Sequence, residues 1–135
     1  MGRSSNLPGV TAPDGSKVRF LADSRQDAVK SSLVEVTLGA GEVTRPIWHR
    51  TVEEIWYVLE GLGKVWRCHP NADPETAPSV DVAPGDVLVI LPGWRFQFSA
   101  GPGSSLRFLC HTTPPWPGKD EAVPAEWGGL GEATV

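Results

Sequence analysis

The segment EEIWYVLEGLGKV, residues 53–65, carries the clearest fold signal in the chain. Two runs rich in valine, leucine and aromatic residues flank the tetrad Glu60-Gly61-Leu62-Gly63, whose glycines suit a tight turn. Short runs of this composition on both sides of such a turn are typical of a β-hairpin. The segment therefore predicts two strands, Glu54–Glu60 and Gly63–His69, joined by a hairpin turn.

The same alternation of short apolar runs and turns extends along the chain. Its 15 glycines and 13 prolines fall between apolar segments instead of in one block, which is typical of an all-β protein. The tetrad Ala83-Pro84-Gly85-Asp86 has the proline-then-glycine order of a type II turn. Short strands joined by turns predict a sandwich or barrel. The predicted strands are Lys17–Leu21, Ser32–Leu38, Glu54–Glu60, Gly63–His69, Val80–Ala83, Asp86–Leu91, Arg95–Ser99 and Leu106–His111.

The length of the chain suits one domain. A chain of 135 residues can build a single hydrophobic core but is short for two. Residues 112–129, TTPPWPGKDEAVPAEWGG, are rich in proline, which removes the backbone donors that a central strand needs. We predict one domain, 1–135, with an N-terminal arm (1–16), a barrel (17–112) and a Pro/Trp-rich C-terminal tail (113–135).

The composition argues against several classes of partner. A formal net charge of −4, with acidic and basic residues mixed, gives no basic stripe for nucleic acid. No apolar run approaches the roughly 20 residues that span a bilayer, and the polar start MGRSSNLPG lacks a signal-peptide core. We expect a cytoplasmic protein without a membrane partner. Cys68 and Cys110 lack CxxC spacing and are expected to be buried thiols.

Two stretches of the chain resemble the two sequence motifs of the cupins. The first motif runs glycine, five residues, His-x-His, three or four residues, glutamate, six residues, glycine, and Gly41–Gly61 is similar to it. In the second motif a Gly-Asp turn leads through an apolar strand to Pro-Gly and then a histidine, and Gly85–Phe98, GDVLVILPGWRFQF, is similar to it. The resemblance implies a double-stranded β-helix, that is, a small jelly-roll barrel, and a homodimer.

The metal site that the resemblance implies is half present. Cupin barrels commonly hold Mn, Fe, Ni, Zn or Cu on three histidines and one glutamate. His49 stands at the second histidine position and Glu54 at the glutamate, whereas Ile47 and Phe96 replace the other two histidines. Because such metals usually take at least three protein ligands, this pair alone predicts weak binding. The candidates for a third ligand are His111 and Cys110, at the end of a late strand.

Strand alternation predicts which residues line the barrel. Residues two apart on a strand share one face, so the two motifs place a histidine and a carboxylate among apolar side chains. Such a cavity is the usual form of a small-molecule site, and its ligand is expected to be hydrophobic or aromatic. Trp94, directly after Gly93, is predicted at the mouth of the barrel as a further binding residue. The predicted lining is Ile47, His49, Glu54, Trp56, Phe96 and Phe98.

Three functions remain open for His49 and Glu54. If the two side chains lie within hydrogen-bond reach, the carboxylate fixes the imidazole tautomer and the histidine becomes a general base. That chemistry suits an isomerase, cyclase or lyase that removes a proton next to a carbonyl. The first alternative is a metal-dependent dioxygenase or isomerase with an atypical ligand set. The second is a barrel that binds a metabolite without catalysis.

Overall fold

The computed structural model describes residues 2–118 and 120–135. Within these residues the chain forms three short 3₁₀ helices, Ser4–Asn6, Ser24–Gln26 and Pro74–Thr76, and eleven strands. The strands are β1 Val10–Thr11, β2 Lys17–Ala22, β3 Ser32–Leu38, β4 Ile47–His49, β5 Glu53–Glu60, β6 Gly63–Cys68, β7 Ser79–Val82, β8 Val87–Ile90, β9 Arg95–Ala100, β10 Leu106–Thr113 and β11 Ala122–Pro124. No helix in the described part of the chain is long and apolar enough to cross a membrane.

The strands form two antiparallel sheets. Sheet A has the order β1-β2-β3-β10-β5-β8, and sheet B has the order β11-β4-β9-β6-β7. Strand β10, late in the chain, lies between β3 and β5, so strands distant in sequence become neighbours. The two sheets face each other as a jelly-roll barrel, which confirms the predicted fold class.

The predicted hairpin between residues 54 and 69 is wrong. Strand β5 pairs with β10 and β8 in sheet A, whereas β6 pairs with β7 and β9 in sheet B. The turn between them is therefore a corner that carries the chain from one sheet to the other. Gly61 has φ +83°, and a Cβ atom there would collide with the carbonyl oxygen of Ser105. Glycine is needed at this corner for both reasons.

The inner faces of the two sheets carry the aromatic core. The rings of Trp56 and Phe108 stack with centroids 4.1 Å apart, and Phe98 meets both rings edge to face. All three side chains are almost fully buried. Edge-to-face and stacked contacts add about 0.5–1.5 kcal/mol per pair beyond the burial of apolar area. All three side chains also line the cavity between the sheets.

The C-terminal tail covers the outer face of sheet B. The buried amide of Gln97 donates from Nε2 to the carbonyl oxygens of Thr44 and Gly131, and its Oε1 accepts from the Leu130 N–H. Trp127 packs edge to face against the buried Trp66. These contacts hold the tail on the barrel although only β11 adds to a sheet, at its edge.

Candidate functional site

A cavity of about 380 Å³ lies between the two sheets. Its volume is within the range of about 300–1,000 Å³ that small-molecule sites occupy. The walls are mostly apolar and aromatic, with a few polar groups among them. Six residues that strand alternation predicts for the lining all lie on this cavity: Ile47, His49, Glu54, Trp56, Phe96 and Phe98. Their roles in binding or catalysis stay predictions.

His49 and Glu54 approach each other across the two sheets. His49 ends β4 in sheet B, Glu54 lies near the start of β5 in sheet A, and both are buried. The His49 Nδ1 atom is 3.7 Å from Glu54 Oε2. This distance allows charge attraction but is too long for a hydrogen bond. His49 Nδ1 is buried and has no hydrogen-bond partner among the described residues.

The carboxylate of Glu54 is oriented by its neighbour on the same strand face. Trp56 Nε1–H donates to Glu54 Oε1 over 2.9 Å. The indole is itself fixed by its stack on Phe108. One oxygen of Glu54 is thus committed to the indole, and the other is left toward His49. Trp56 therefore both lines the cavity and orients the carboxylate of Glu54.

The imidazole of His49 is held between two aromatic rings. Phe96 and Trp116 both meet it edge to face, with ring centroids at 5.2 Å and 5.0 Å. Trp116 lies in the proline-rich segment after β10, and its backbone N–H donates to the Ser32 hydroxyl. No periodic sequence pattern covers that segment, so strand alternation did not place Trp116 in the site.

A second buried carboxylate, Asp14, faces the same cavity. It lies in the turn between β1 and β2, and its Oδ1 accepts hydrogen bonds from the backbone N–H and the hydroxyl of Ser16, at 2.9 Å and 2.7 Å. Burial raises the pKa of Asp14, against the lowering effect of the Ser16 hydrogen bonds, and the charge of Glu54 adds to the rise. In the sequence, Pro-Asp-Gly-Ser looks like an ordinary surface turn, so nothing there singled out Asp14.

Cys110 adds a thiol to the polar side of the cavity. Burial raises the pKa of Cys110 well above its ordinary value, and the negative charge of Glu54 raises it further. The thiolate is the form that attacks carbonyls and binds metals. Cys110 therefore stays a neutral thiol at neutral pH.

Two of the predicted site residues lie outside the cavity lining. His111 follows Cys110 on β10, so strand alternation turns its side chain to the outer face of sheet A, where it lies opposite the exposed Ile55. Trp94 lies in the turn before β9 and packs edge to face on His69, with ring centroids 5.3 Å apart. His111 therefore faces away from the cavity in which it was predicted to bind a metal, whereas the predicted role of Trp94 at the mouth of the barrel stays a prediction.

The residues present do not fit the metal centre of the family. Ile47 and Phe96 stand where the family motifs have two of their histidines. Both are buried, and neither brings a donor atom for a metal. One oxygen of Glu54 already accepts from Trp56. No group of three His, Cys, Asp or Glu residues among the described ones lies close enough together to hold a metal ion. Since three protein ligands are the usual minimum, the donor set supports no tightly held metal.

A third buried carboxylate, Glu121, lies beside the cavity and is satisfied by the protein itself. Its Oε1 accepts from the backbone N–H groups of Thr51 and Val52, and both of its oxygens lie within hydrogen-bond distance of the Thr51 hydroxyl. Burial acts to raise the pKa of Glu121, but these hydrogen bonds outweigh it and lower the pKa. Glu121 thereby anchors the tail to the loop between β4 and β5.

Comparison with known proteins gives the family. The family model described as Cupin matches residues 4–114. The chain is 32% identical over 111 residues to "Uncharacterized protein MJ1618" of Methanocaldococcus jannaschii. The aligned residues cover 82% of each of the two chains.

Solved structures show the same fold at low identity. The polyketide cyclase RemF from Streptomyces resistomycificus has a TM-score of 0.70 and 23% identity, over 96% of this chain and 87% of that one. Oxalate decarboxylase from Bacillus subtilis has a TM-score of 0.75 and 17% identity, over 91% of this chain and 31% of that one. The chain thus spans about a third of that decarboxylase. The motifs, the two-sheet barrel and the matching family model agree, and the chain belongs to the cupin family.

Proposed function

We propose that this cupin binds a hydrophobic or aromatic carbonyl compound in its barrel and removes a proton next to the carbonyl group, as an isomerase, cyclase or lyase does. One observation carries the proposal. A buried imidazole with an unpartnered nitrogen lies 3.7 Å from a buried carboxylate, on a cavity with aromatic walls. His49 is the proposed base, and Glu54 is its charged partner.

The unpartnered nitrogen of His49 is the main support for a bound ligand. A buried polar atom without a hydrogen bond destabilises the folded state by about 1–3 kcal/mol. Such an atom is expected in a site that rearranges when a ligand binds. Glu54 Oε2 lies 3.7 Å from this nitrogen, so a small shift of either side chain on ligand binding would bring the two within hydrogen-bond distance.

Glu54 supports the role of His49 through its charge. When His49 takes a proton, the imidazolium forms 3.7 Å from the carboxylate, which stabilises it. The indole N–H of Trp56 keeps that carboxylate in place. The separation is longer than a hydrogen bond in the absence of ligand, and catalytic contacts of this kind often shorten only when substrate binds.

The chemistry of a structural neighbour agrees with this proposal. RemF is described as a polyketide cyclase, and this chain covers most of its length. At 23% identity the likeness shows the fold alone. Carbonyl chemistry in this chain is therefore part of the proposal. The volume of about 380 Å³ and the aromatic and polar lining of the cavity suit a compact fused-ring ketone.

Hydrogen–deuterium exchange of 2-tetralone in D₂O, followed by NMR, tests the proposal. The wild-type protein is expected to speed exchange of the α hydrogens, and His49→Gln to remove about 100-fold or more of that acceleration, as loss of a general base does. His69→Gln is the matched control, because His69 packs on Trp94 away from the cavity. Wild-type protein that adds nothing to the buffer rate, or equal rates in both variants, would contradict the proposal.

The homodimer and the cytoplasmic location stay predictions. For the homodimer, the outer face of sheet A offers an apolar surface. Ile55 and Val89 lie opposite each other on β5 and β8, next to Tyr57, and all three are exposed. Clustered apolar surface of this kind is common where protein surfaces associate.

A further inference from the structure

We propose that Asp14 is a second catalytic residue of the cavity, and that it gives a proton to the carbonyl oxygen of the substrate while His49 takes the α hydrogen. This inference rests on the proposed function. It also narrows the substrate class to compact, apolar ketones that can form an enol.

The fold brings Asp14 to the same cavity as the His49–Glu54 pair from a separate part of the chain. Its turn precedes β2, which is separated from β5 by β3 and β10 in sheet A. The Asp14 carbonyl oxygen accepts a hydrogen bond of 2.9 Å from the backbone N–H of Arg45, just before β4 in sheet B. Asp14 is thus held where the two sheets meet, and its carboxyl group lines the cavity.

The side chain of Asp14 has one oxygen anchored and one available. Oδ1 receives both hydrogen bonds from Ser16. Oδ2 makes no hydrogen bond to any residue in the ranges 2–118 and 120–135. The carboxyl group is buried, yet it forms no ion pair with a lysine or arginine in those ranges. A carboxyl group without a cationic partner is suited to hold a proton in an apolar site.

The electrostatic surroundings agree with an acid at this position. Burial raises the pKa of Asp14, and the negative charge of Glu54 acts in the same direction, while Ser16 and His49 act against it. A raised pKa keeps the proton on the carboxyl group to higher pH, which is the form that a proton donor needs. The charged groups that act on Asp14 are therefore Glu54 and His49, the pair proposed to work with it.

The proposed step is a balanced enolisation. A nitrogen of His49 forms a bond to the α hydrogen, and the electron pair of the C–H bond becomes the carbon–carbon double bond of the enol. The π electron pair of the carbonyl bond moves to the oxygen, and the oxygen takes the proton from the carboxyl group of Asp14. The products are an enol, an imidazolium beside Glu54, and an Asp14 carboxylate that the two Ser16 donors stabilise. Reversal returns both protons, and no oxidant or reductant is needed.

Asp14→Asn separates proton transfer from structure. The asparagine oxygen can still accept from Ser16, but its amide cannot give up a proton at neutral pH. We expect D14N to slow enzyme-dependent exchange of 2-tetralone by about 100-fold. Its affinity for 2-tetralone, measured by quenching of tryptophan fluorescence, is expected to stay the same because the apolar walls remain. Asp81→Asn, an exposed position on β7, is the control and is expected to exchange at the wild-type rate.

Two outcomes separate failure of this inference from failure of the proposed function. If His49→Gln abolishes exchange and D14N keeps the wild-type rate, Asp14 is not the acid, and the proposed function stands. If His49→Gln exchanges like the wild type, the proposed function fails.

Should D14N melt well below the wild type, Asp14→Glu replaces it as the test, because glutamate retains the acid. Faster exchange in D14E than in D14N supports the inference, and equal loss in both overturns it.

Discussion

Glu54 and Glu121 are two buried carboxylates near His49, and the protein treats them in opposite ways. Glu121 accepts from two backbone N–H groups and a hydroxyl of the loop between β4 and β5. Glu54 accepts a hydrogen bond from Trp56 and turns its other oxygen to an imidazole too distant to donate to it. Glu121 is satisfied by the fold itself, whereas Glu54 faces a cavity with hydrogen-bonding capacity unused. The difference supports a structural role for Glu121 and the proposed functional role of Glu54.

Stability is expected to respond more strongly to the loss of Glu121 than to the loss of the Glu54 charge. Glu121→Ala leaves the backbone N–H groups of Thr51 and of the buried Val52 without their acceptor, so we expect the free energy of unfolding to fall by about 3 kcal/mol. Glu54→Gln keeps an acceptor for Trp56 and is expected to change it by less than about 1 kcal/mol. Urea unfolding measures both values. Equal losses in the two variants would contradict the contrast between the carboxylates.

For the catalytic rate we expect the opposite order, with a larger effect at Glu54 than at Glu121. Glu54→Gln removes the charge that stabilises the His49 imidazolium, so we expect enzyme-dependent exchange of 2-tetralone to slow by about 100-fold. Glu121→Gln serves as the matched substitution and is expected to keep a rate close to that of the wild type. A slow Glu121→Gln protein that is fully folded would show that the structural carboxylate also takes part in the chemistry.

The smallest expected effect is on the pH dependence of stability, where Glu121 contrasts with Asp14. The pKa of Glu121 lies below its ordinary value of 4.5, so its contribution to stability is complete above pH 4.5 and is lost as the pH falls through the folded-state pKa. The pKa of Asp14 lies above its ordinary value of 3.8, so its contribution is complete below pH 3.8 and is lost as the pH rises.

Urea unfolding over a series of pH values from about 3 to 7 measures this contrast. The difference in stability between the wild type and Glu121→Gln is expected to grow as the pH rises. The difference between the wild type and Asp14→Asn is expected to shrink. Parallel curves for the two variants would show that the two carboxylates are in similar environments.

Strand alternation predicted the cavity walls because the period of a strand is local and simple. His49 follows Ile47 by two residues, and Trp56 follows Glu54 by two, so a single pattern placed each pair on one face. The same rule explains why His111 faces outward once Cys110 faces inward. Alternation placed each of these pairs on one face, but it did not single out the lining residues of β2, β3 and β10, such as Val18, Val34 and Phe108.

The features that the sequence did not predict depend on contacts between distant segments. The corner at Gly61 looks like a hairpin locally, and only the pairing of β5 and β6 with other strands turns it into a link between sheets. Asp14 lies in a turn next to glycine and Trp116 in a proline-rich segment outside the strands, where no period exists. The fold carries both residues to His49 from opposite ends of the chain, so the site is richer in polar and aromatic groups than the motifs imply.

A crystal structure of the protein with 2-naphthol, an aromatic analogue of the enol of 2-tetralone, is the decisive test of His49 and Asp14 as base and acid. We expect the rings to lie in the cavity against Trp56 and Phe96, with the hydroxyl at hydrogen-bond distance from Asp14 and the adjacent ring carbon facing His49. A cavity that holds only solvent at saturating 2-naphthol would contradict it, as would a metal ion bound to both His49 and Glu54.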